Sequence, residues 1–289
     1  MRHSYHESTL TSKLEQKLST PIEVTIAEDE ALMRATLAAV RAAGDHMKRL
    51  FTPNARPGDL QELVKAIHAN DAESLGVLRA ALLEARPTAG WAEDELESGE
   101  LPPGEWWVTD PVEGNINHIH GMTDWCVTAT LVKDNVPELT VVYLPLTGDT
   151  YTATRGGGAY LDGARIVPSA KQELDAALVG TGQARPGEDT ETFRRIGESV
   201  TAMLGAALVA RVSVPATLQL IHVAAGGMDV FWQFSAVRSG LVAGALLVRE
   251  AGGTVTDING LPWQLASSNF LASAPALHDA AVAILSRIR

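Results

Sequence analysis

The chain has 289 residues, a formal net charge of −12, 46% hydrophobic and 20% charged residues, and one cysteine. Length and apolar content are those of a globular protein with one large or two moderate domains and a proper core. The acidic balance argues against a nucleic-acid groove, which needs a basic stripe, and lone Cys126 excludes an intrachain disulfide or a thiolate zinc cluster. The first twenty or so residues are too polar for a signal peptide and no apolar run could span a membrane, so a cytoplasmic protein is expected. Residues 1–27 read as an N-terminal arm, either loose or a dimer contact.

Apolar residues recur at helical spacing over 28–51, with an acidic start and a basic end that suit the macrodipole. A second helix is predicted over 59–85, then an acidic, turn-rich loop over 91–105. Residues 106–109 read as a short buried strand running straight into Asp110. From 123 to 166 the pattern turns to strands broken at "DNVP", "LTGD" and "RGGG", an antiparallel meander. Beyond 170 strands and helices alternate: strand 176–182, helix 189–204, strand 207–212, helix 216–226, strand 228–234, helix 240–253, strand and turn 254–260. An α/β (α+β) fold with lobes over 28–167 and 168–289 fits this order.

Three stretches, in the right order and well separated, carry a resemblance. "WVTDPVEGNINHIHG", "VVYLPLTGDTYTATRGGGAYLDGARI" and "HVAAGGMDVFWQF…GLVAGALLVREAGGTVTD" resemble signatures of the inositol monophosphatase family, in the wider group of metal-dependent, lithium-sensitive sugar phosphatases. The resemblance covers the chain from about residue 28 to the end. It implies a layered α-β-α-β-α sandwich, a homodimer, and hydrolysis of small phosphate monoesters with magnesium. That chemistry suits hard carboxylate oxygens, because the cation neutralises an anionic phosphoryl group and acidifies the attacking water.

Carried over residue by residue, the resemblance implies metal ligands at Glu93, Asp110, the carbonyl of Val112, and Glu113. Glu93 falls where the family has a Gly-Glu-Glu motif, with Asp94 as the second acid; a solvated acidic loop is the alternative. Glu113 stands where the family has aspartate, one methylene shorter. Gly114 is kept, as a turn presenting N–H groups to an anion requires. Asn115 and Ile116 replace two threonines, the first of which helps activate water. Asn117 matches the family as a turn residue, and His118 replaces phenylalanine. His118 is either a buried loop histidine or a general acid–base beside Glu113, and the His120 ring reads as structural. Without gaps, Ser239 and Gly240 fall where the family has Trp-Asp, so a metal-binding carboxylate is lost; Asp124, Asp229, His118 and His120 are candidates to replace it. Gln233 stands in place of a glutamate that contacts sugar hydroxyls, and Ser213 belongs to the same substrate region. Trp91, Trp106, Trp107 and Trp125 read as core, or as an aromatic wall for a ligand.

The expectation is therefore a divergent enzyme of this family acting on a small phosphorylated sugar, cyclitol or nucleotide. Glu93, Glu113, Asn115 and His118 are its catalytic candidates, Gly114, Asn115, Asn117, Ser213 and Gln233 its substrate contacts, and Mg2+ its cofactor, with fewer ions than the family or none. One alternative is a repurposed lyase, cyclase or transferase in which Glu93, Glu113, Asn117 and His118 do acid–base work with little metal. Another is a noncatalytic ligand-binding subunit.

Overall fold

The structure is a computed structural model; it describes residues 8–93, 99–182, 187–235 and 237–288, and side chains from residue 28 onward. Two long helices come first, α1 (Ser8–Leu50) and α2 (Leu60–Ala85). Asp59 caps α2 by accepting the Glu62 N–H at 2.8 Å, and Glu62 reaches back to accept the Gly58 N–H, so two otherwise orphaned donors are satisfied reciprocally.

Seven strands then form one sheet in sequence order: β1 (Gly90–Trp91), β2 (Glu105–Glu113), β3 (Cys126–Lys133), β4 (Val136–Tyr143), β5 (Thr150–Thr154), β6 (Gly158–Leu161) and β7 (Ala164–Arg165). Only the β1–β2 pair is parallel. A short helix, α3 (Asn115–Ile119), interrupts the meander directly after β2. The second half supplies β8 (Leu178–Thr181), α4 (Thr190–Leu204), β9 (Val209–Val212), α5 (Ala216–Ala224), β10 (Val230–Gln233), α6 (Arg238–Ala251), β11 (Thr254–Thr256), β12 (Phe270–Ser273) and α7 (His278–Leu285). Its five strands pair in the order β11-β12-β10-β8-β9, with β8 parallel to both neighbours.

The side-chain alternation of the strands sorts these elements into five layers. On one face of the first sheet Trp107, Val127, Ala129 and Val141 pack on α1 and α2 through Val40, Ala43, Leu78 and Leu82. On the other, Val108, Cys126, Val142 and Tyr151 meet Leu220, Ile221, Val242 and Leu246 of α5 and α6. Phe231, Phe270 and Ala272 cover those helices from the second sheet. The outer face of that sheet, with Val179, Trp232 and Leu271, packs on Met203, Ala281 and Leu285 of α4 and α7. The α-β-α-β-α sandwich is thus present. Helices α5 and α6 are buried between two sheets, which explains why their sequences are apolar nearly all round. They approach closely at Gly244, where a Cβ would lie 2.4 Å from Leu220.

Three features differ from the sequence reading. Helix α1 is already helical from Ser8, so the 27/28 boundary falls inside it. Strand β1 begins within what reads as loop, because two residues parallel to Trp106–Trp107 are too short for any periodicity. The segment after 260, which shows no clear pattern, contributes β12 and α7.

Candidate active site

Asp110 and Glu113 stand three apart on β2, and in a regular strand that spacing points them to opposite faces. A bulge reverses this. Asp110 pairs with Thr128 and Glu113 with Cys126, so three steps on β2 match two on β3. Both acids therefore share the face of Thr128 and Cys126, which looks toward α5 and α6. Burial, followed by the charges of Glu113 and Asp110, holds the Cys126 thiol well above its ordinary range, as two carboxylates on its own face should. Cys126 is fully buried, a core thiol. Ser74 of α2 fixes the bulge by donating to the Pro111 carbonyl at 2.6 Å.

The two carboxylates are 8% and 6% exposed. Asp110 accepts the Val112 N–H on Oδ1 at 3.2 Å, and its own N–H donates to Thr128 Oγ1. Glu113 reaches toward the first turn of α5, where the Thr217 N–H points at Oε1 from 3.4 Å. Thr217 also donates its hydroxyl to the Gly240 carbonyl at 3.0 Å, tying the starts of α5 and α6 together beside Glu113. Gly114 follows at φ +88° and opens α3.

The next residues of the motif are engaged elsewhere. The Asn115 amide donates to Asp71 Oδ1 at 2.7 Å and to the Ile67 carbonyl, and its oxygen accepts from Asn70 at 2.8 Å, so its polar atoms are bound to α2. Burial raises the Asp71 carboxyl, with the Asn115 bond opposing it. Asn117 donates to the carbonyls of Asp124 and Val214, which is the turn-holding role its position suggests. His118 is 4% exposed, lies edge-on to Trp125 (4.7 Å) and Phe51 (5.4 Å), accepts from Asn70 on Nδ1 and donates from Nε2 to the Met47 carbonyl. Desolvation pushes its pKa down, so the ring is neutral at pH 7. These are the surroundings of a packed core histidine. His120 bonds the Ile116 carbonyl through Nδ1.

Glu93 is exposed and its carboxylate is gripped by Arg79, itself stacked on Trp91. Asp94 lies outside the described residues. Ser213 is half-buried at the end of β9, and its carbonyl accepts from Gln219. Gln233 is buried at the end of β10, donates to the Ser235 carbonyl at 2.6 Å and crowds Gly182, beside the carboxyl ends of the parallel pair β8–β10. Asp229 is wholly buried and bound by Lys171, Ser169 and the Leu178 N–H, so it pins the strap before β8 and is no substitute for a carboxylate at 240. Asp124 is exposed. The tryptophans at 91, 107 and 125 are core residues.

Asn70, Asp71 and Thr217 are the polar residues that sequence reading missed. Each sits on a helix with an ordinary pattern, and only its contacts with the 110–118 segment mark it.

The residues permit a test of the implied magnesium. Among the described residues no group of three or more acidic, histidine or cysteine side chains converges as a metal cluster. Two buried carboxylates on one face do fit a single hard cation shared with a substrate phosphate, since magnesium is commonly held by one or two carboxylates plus phosphate oxygens.

The pattern of the inositol monophosphatase family matches residues 28–289. The chain belongs to the inositol monophosphatase family. It is 32% identical over 238 residues to an inositol-1-monophosphatase of Rhizobium meliloti, covering 80% of this chain and 86% of that one. It is 31% identical over 238 residues to the Nus factor SuhB of Pseudomonas aeruginosa, covering 80% and 87%. Among solved structures, an inositol monophosphatase from Anabaena shares the fold at a TM-score of 0.75 with 24% identity, over 90% of this chain and 97% of that one. The SuhB protein of Bartonella henselae superposes at 0.75 with 25% identity, over 89% and 99%. Membership of this inositol monophosphatase family supports a phosphatase-like enzyme with a small-molecule substrate; the family is generally magnesium-dependent. Among the described residues no helix is long and apolar enough to cross a membrane.

The packing of His118 gives one prediction. His118 and His278 are both buried, and desolvation lowers both pKa values. In the unfolded chain each takes its proton near pH 6.5. Their neutral burial is therefore fully stabilising above about pH 6.5, and stability falls as the pH drops below that, where the unfolded chain binds more protons. His118→Phe is expected to shallow this fall in Tm between pH 7 and 5 while kcat stays within about threefold, as replacing a ring packed between Phe51 and Trp125 by another apolar ring should allow. A collapse of kcat in this variant, with folding intact, would restore an acid–base role to His118.

Proposed function

We propose that this chain is a metal-assisted phosphoric monoester hydrolase acting on a small polyhydroxylated or nucleotide phosphate, with a reduced cation site at the bulge of β2. The observation that carries this is the placing of Asp110 and Glu113, by the bulge, on one buried face directly before a left-handed Gly114. Asp110, Glu113 and the Val112 carbonyl would hold the cation, and Gly114 lets the chain turn at once into α3. A bound magnesium ion would offset phosphoryl charge and make water more acidic. The protein's own contribution is orientation and exclusion of bulk water: Ser74 and Thr128 fix the strand, and Thr217 steadies Glu113. Hydrolysis itself requires attack of a water oxygen on phosphorus, cleavage of the ester P–O bond and delivery of a proton to the departing alkoxide. The homodimer and the cytoplasmic setting remain part of this proposal.

A metal-poor, repurposed enzyme is the second reading. It is favoured by Gly240, which brings no donor, and by Glu93, which is turned onto Arg79. It is weakened by the fate of its acid–base set, because His118 is packed among aromatics and Asn117 is committed to backbone carbonyls. Phosphate release from a panel of sugar, cyclitol and nucleotide monoesters separates the two. The hydrolase reading expects turnover with magnesium or manganese and its loss in chelator; no release from any ester, or release undiminished by chelator, overturns it.

A further inference from the structure

The Glu113 carboxylate lies beside residue 240, at the start of α6. Glu113 is 6% exposed, and among the described residues the only side-chain hydrogen bond it makes is the 3.4 Å approach of the Thr217 N–H to Oε1, leaving Oε2 without a protein partner. A Cβ at 240 would sit 3.4 Å from Oε1 and 3.7 Å from Oε2, in ordinary contact. A longer side chain directed from that Cβ toward Glu113 would meet its carboxylate. The oxygens of an aspartate lie about 2.4 Å from its Cβ, two bonds away. In a rotamer turned toward Glu113, such oxygens on residue 240 would fall close to those of Glu113.

We propose that Glu113 and Gly240 are a transposed pair: one carboxylate at the mouth of α6, carried on β2 by the longer side chain and admitted by the absence of a side chain on α6. Gly240 is then a positioning residue. It acts through Glu113 by letting that carboxylate reach the starts of α5 and α6 and turn Oε2 toward the ligand. This deepens, and for its catalytic consequence rests on, the hydrolase reading above; the geometric pairing stands independently of it. The site keeps two buried carboxylates, both borne by a single strand and set on one face by its bulge. The extra methylene of Glu113 and the missing carboxylate of residue 240 are thereby one change, not two separate losses.

A double-mutant cycle on the whole chain tests this with two readouts. Tm is measured in chelator for the wild type, Gly240→Asp, Glu113→Asp and the double variant. Gly240→Asp alone forces two carboxylates into one space and is expected to lower Tm by about 5 °C. Glu113→Asp withdraws one of them, so the double variant is expected to recover to within about 2 °C of Glu113→Asp alone. Gly240→Ala, whose Cβ has contact-distance room, should stay near the wild-type Tm. Additive losses, or a Gly240→Asp protein as stable as wild type, overturn the pairing. If Gly240→Asp does not fold, the double variant must; failure of both overturns it as well. Activity on a responding ester should fall at least about tenfold in each single carboxylate variant and recover in the double. Coupled Tm values without any wild-type turnover would sustain the pairing and sink the hydrolase reading. Turnover with uncoupled Tm values would do the reverse.

Discussion

Asp110→Asn is expected to cut kcat/KM on a responding phosphate ester by about a thousandfold, equivalent to roughly 4 kcal/mol of transition-state stabilisation. The substitution is nearly isosteric. The amide oxygen can still accept the Val112 N–H that Asp110 Oδ1 now accepts at 3.2 Å, so the bulge keeps its internal bond. The substitution removes one of two negative charges buried on the same face of β2. That loss relieves the repulsion between two like charges buried on one face. Tm should therefore be unchanged or higher while activity collapses, and that opposition distinguishes a functional carboxylate from a structural one. Steady-state kinetics with magnesium and a thermal melt on the same preparation decide it. An Asp110→Asn protein within tenfold of wild type would remove Asp110 from the chemistry.

Much of the architecture is legible in the sequence, for identifiable reasons. Helices α5 and α6 announce themselves because both are apolar nearly all round, as a layer between two sheets demands. The meander from Cys126 to Arg165 is legible through its glycine and asparagine turns, where Asp134, Asn135 and Asp162 adopt positive φ. The site is less legible. Its deciding feature is one inserted residue in the β2–β3 register, and no local pattern reveals a bulge. Asn115 reads as a weakened catalytic group until its partners are seen on α2, more than forty residues earlier in the chain. His118 looks titratable in a polar motif, yet Phe51 and Trp125, distant or masked by the loop between them, close around its ring. A linear comparison also counts residues 113 and 240 as separate departures, although the fold sets the Glu113 carboxylate beside the position a Cβ would take at 240. In each case the missing information is a long-range neighbour, not a local preference.

The second large effect is expected at Gly114, where backbone conformation and close packing can be separated by experiment. Gly114 has φ +88°, and a Cβ there would lie 2.7 Å from the Asp124 carbonyl oxygen and 3.1 Å from the Pro215 ring. Gly148 has the same φ of +88° but nothing within 4 Å of its Cβ position. Gly148→Ala thus carries only the conformational penalty of a side chain in the left-handed region, about 1–2 kcal/mol. Gly114→Ala carries that penalty and must also push β-carbon and carbonyl apart, an overpacking cost of about another 1–3 kcal/mol. The expected Tm losses are about 4 °C for Gly148→Ala and about 10 °C for Gly114→Ala. The functional consequences should diverge further. The clash at 114 presses the backbone next to Glu113 against Asp124 and Pro215, and a shift of that backbone displaces the Glu113 carboxylate, so kcat/KM should fall at least about a hundredfold. Gly148, in the β4–β5 turn, should leave kcat/KM untouched. Equal stability losses in the two variants would show that the approach of Asp124 and Pro215 to Gly114 is not a constraint, and that the turn after Glu113 needs only its backbone angle.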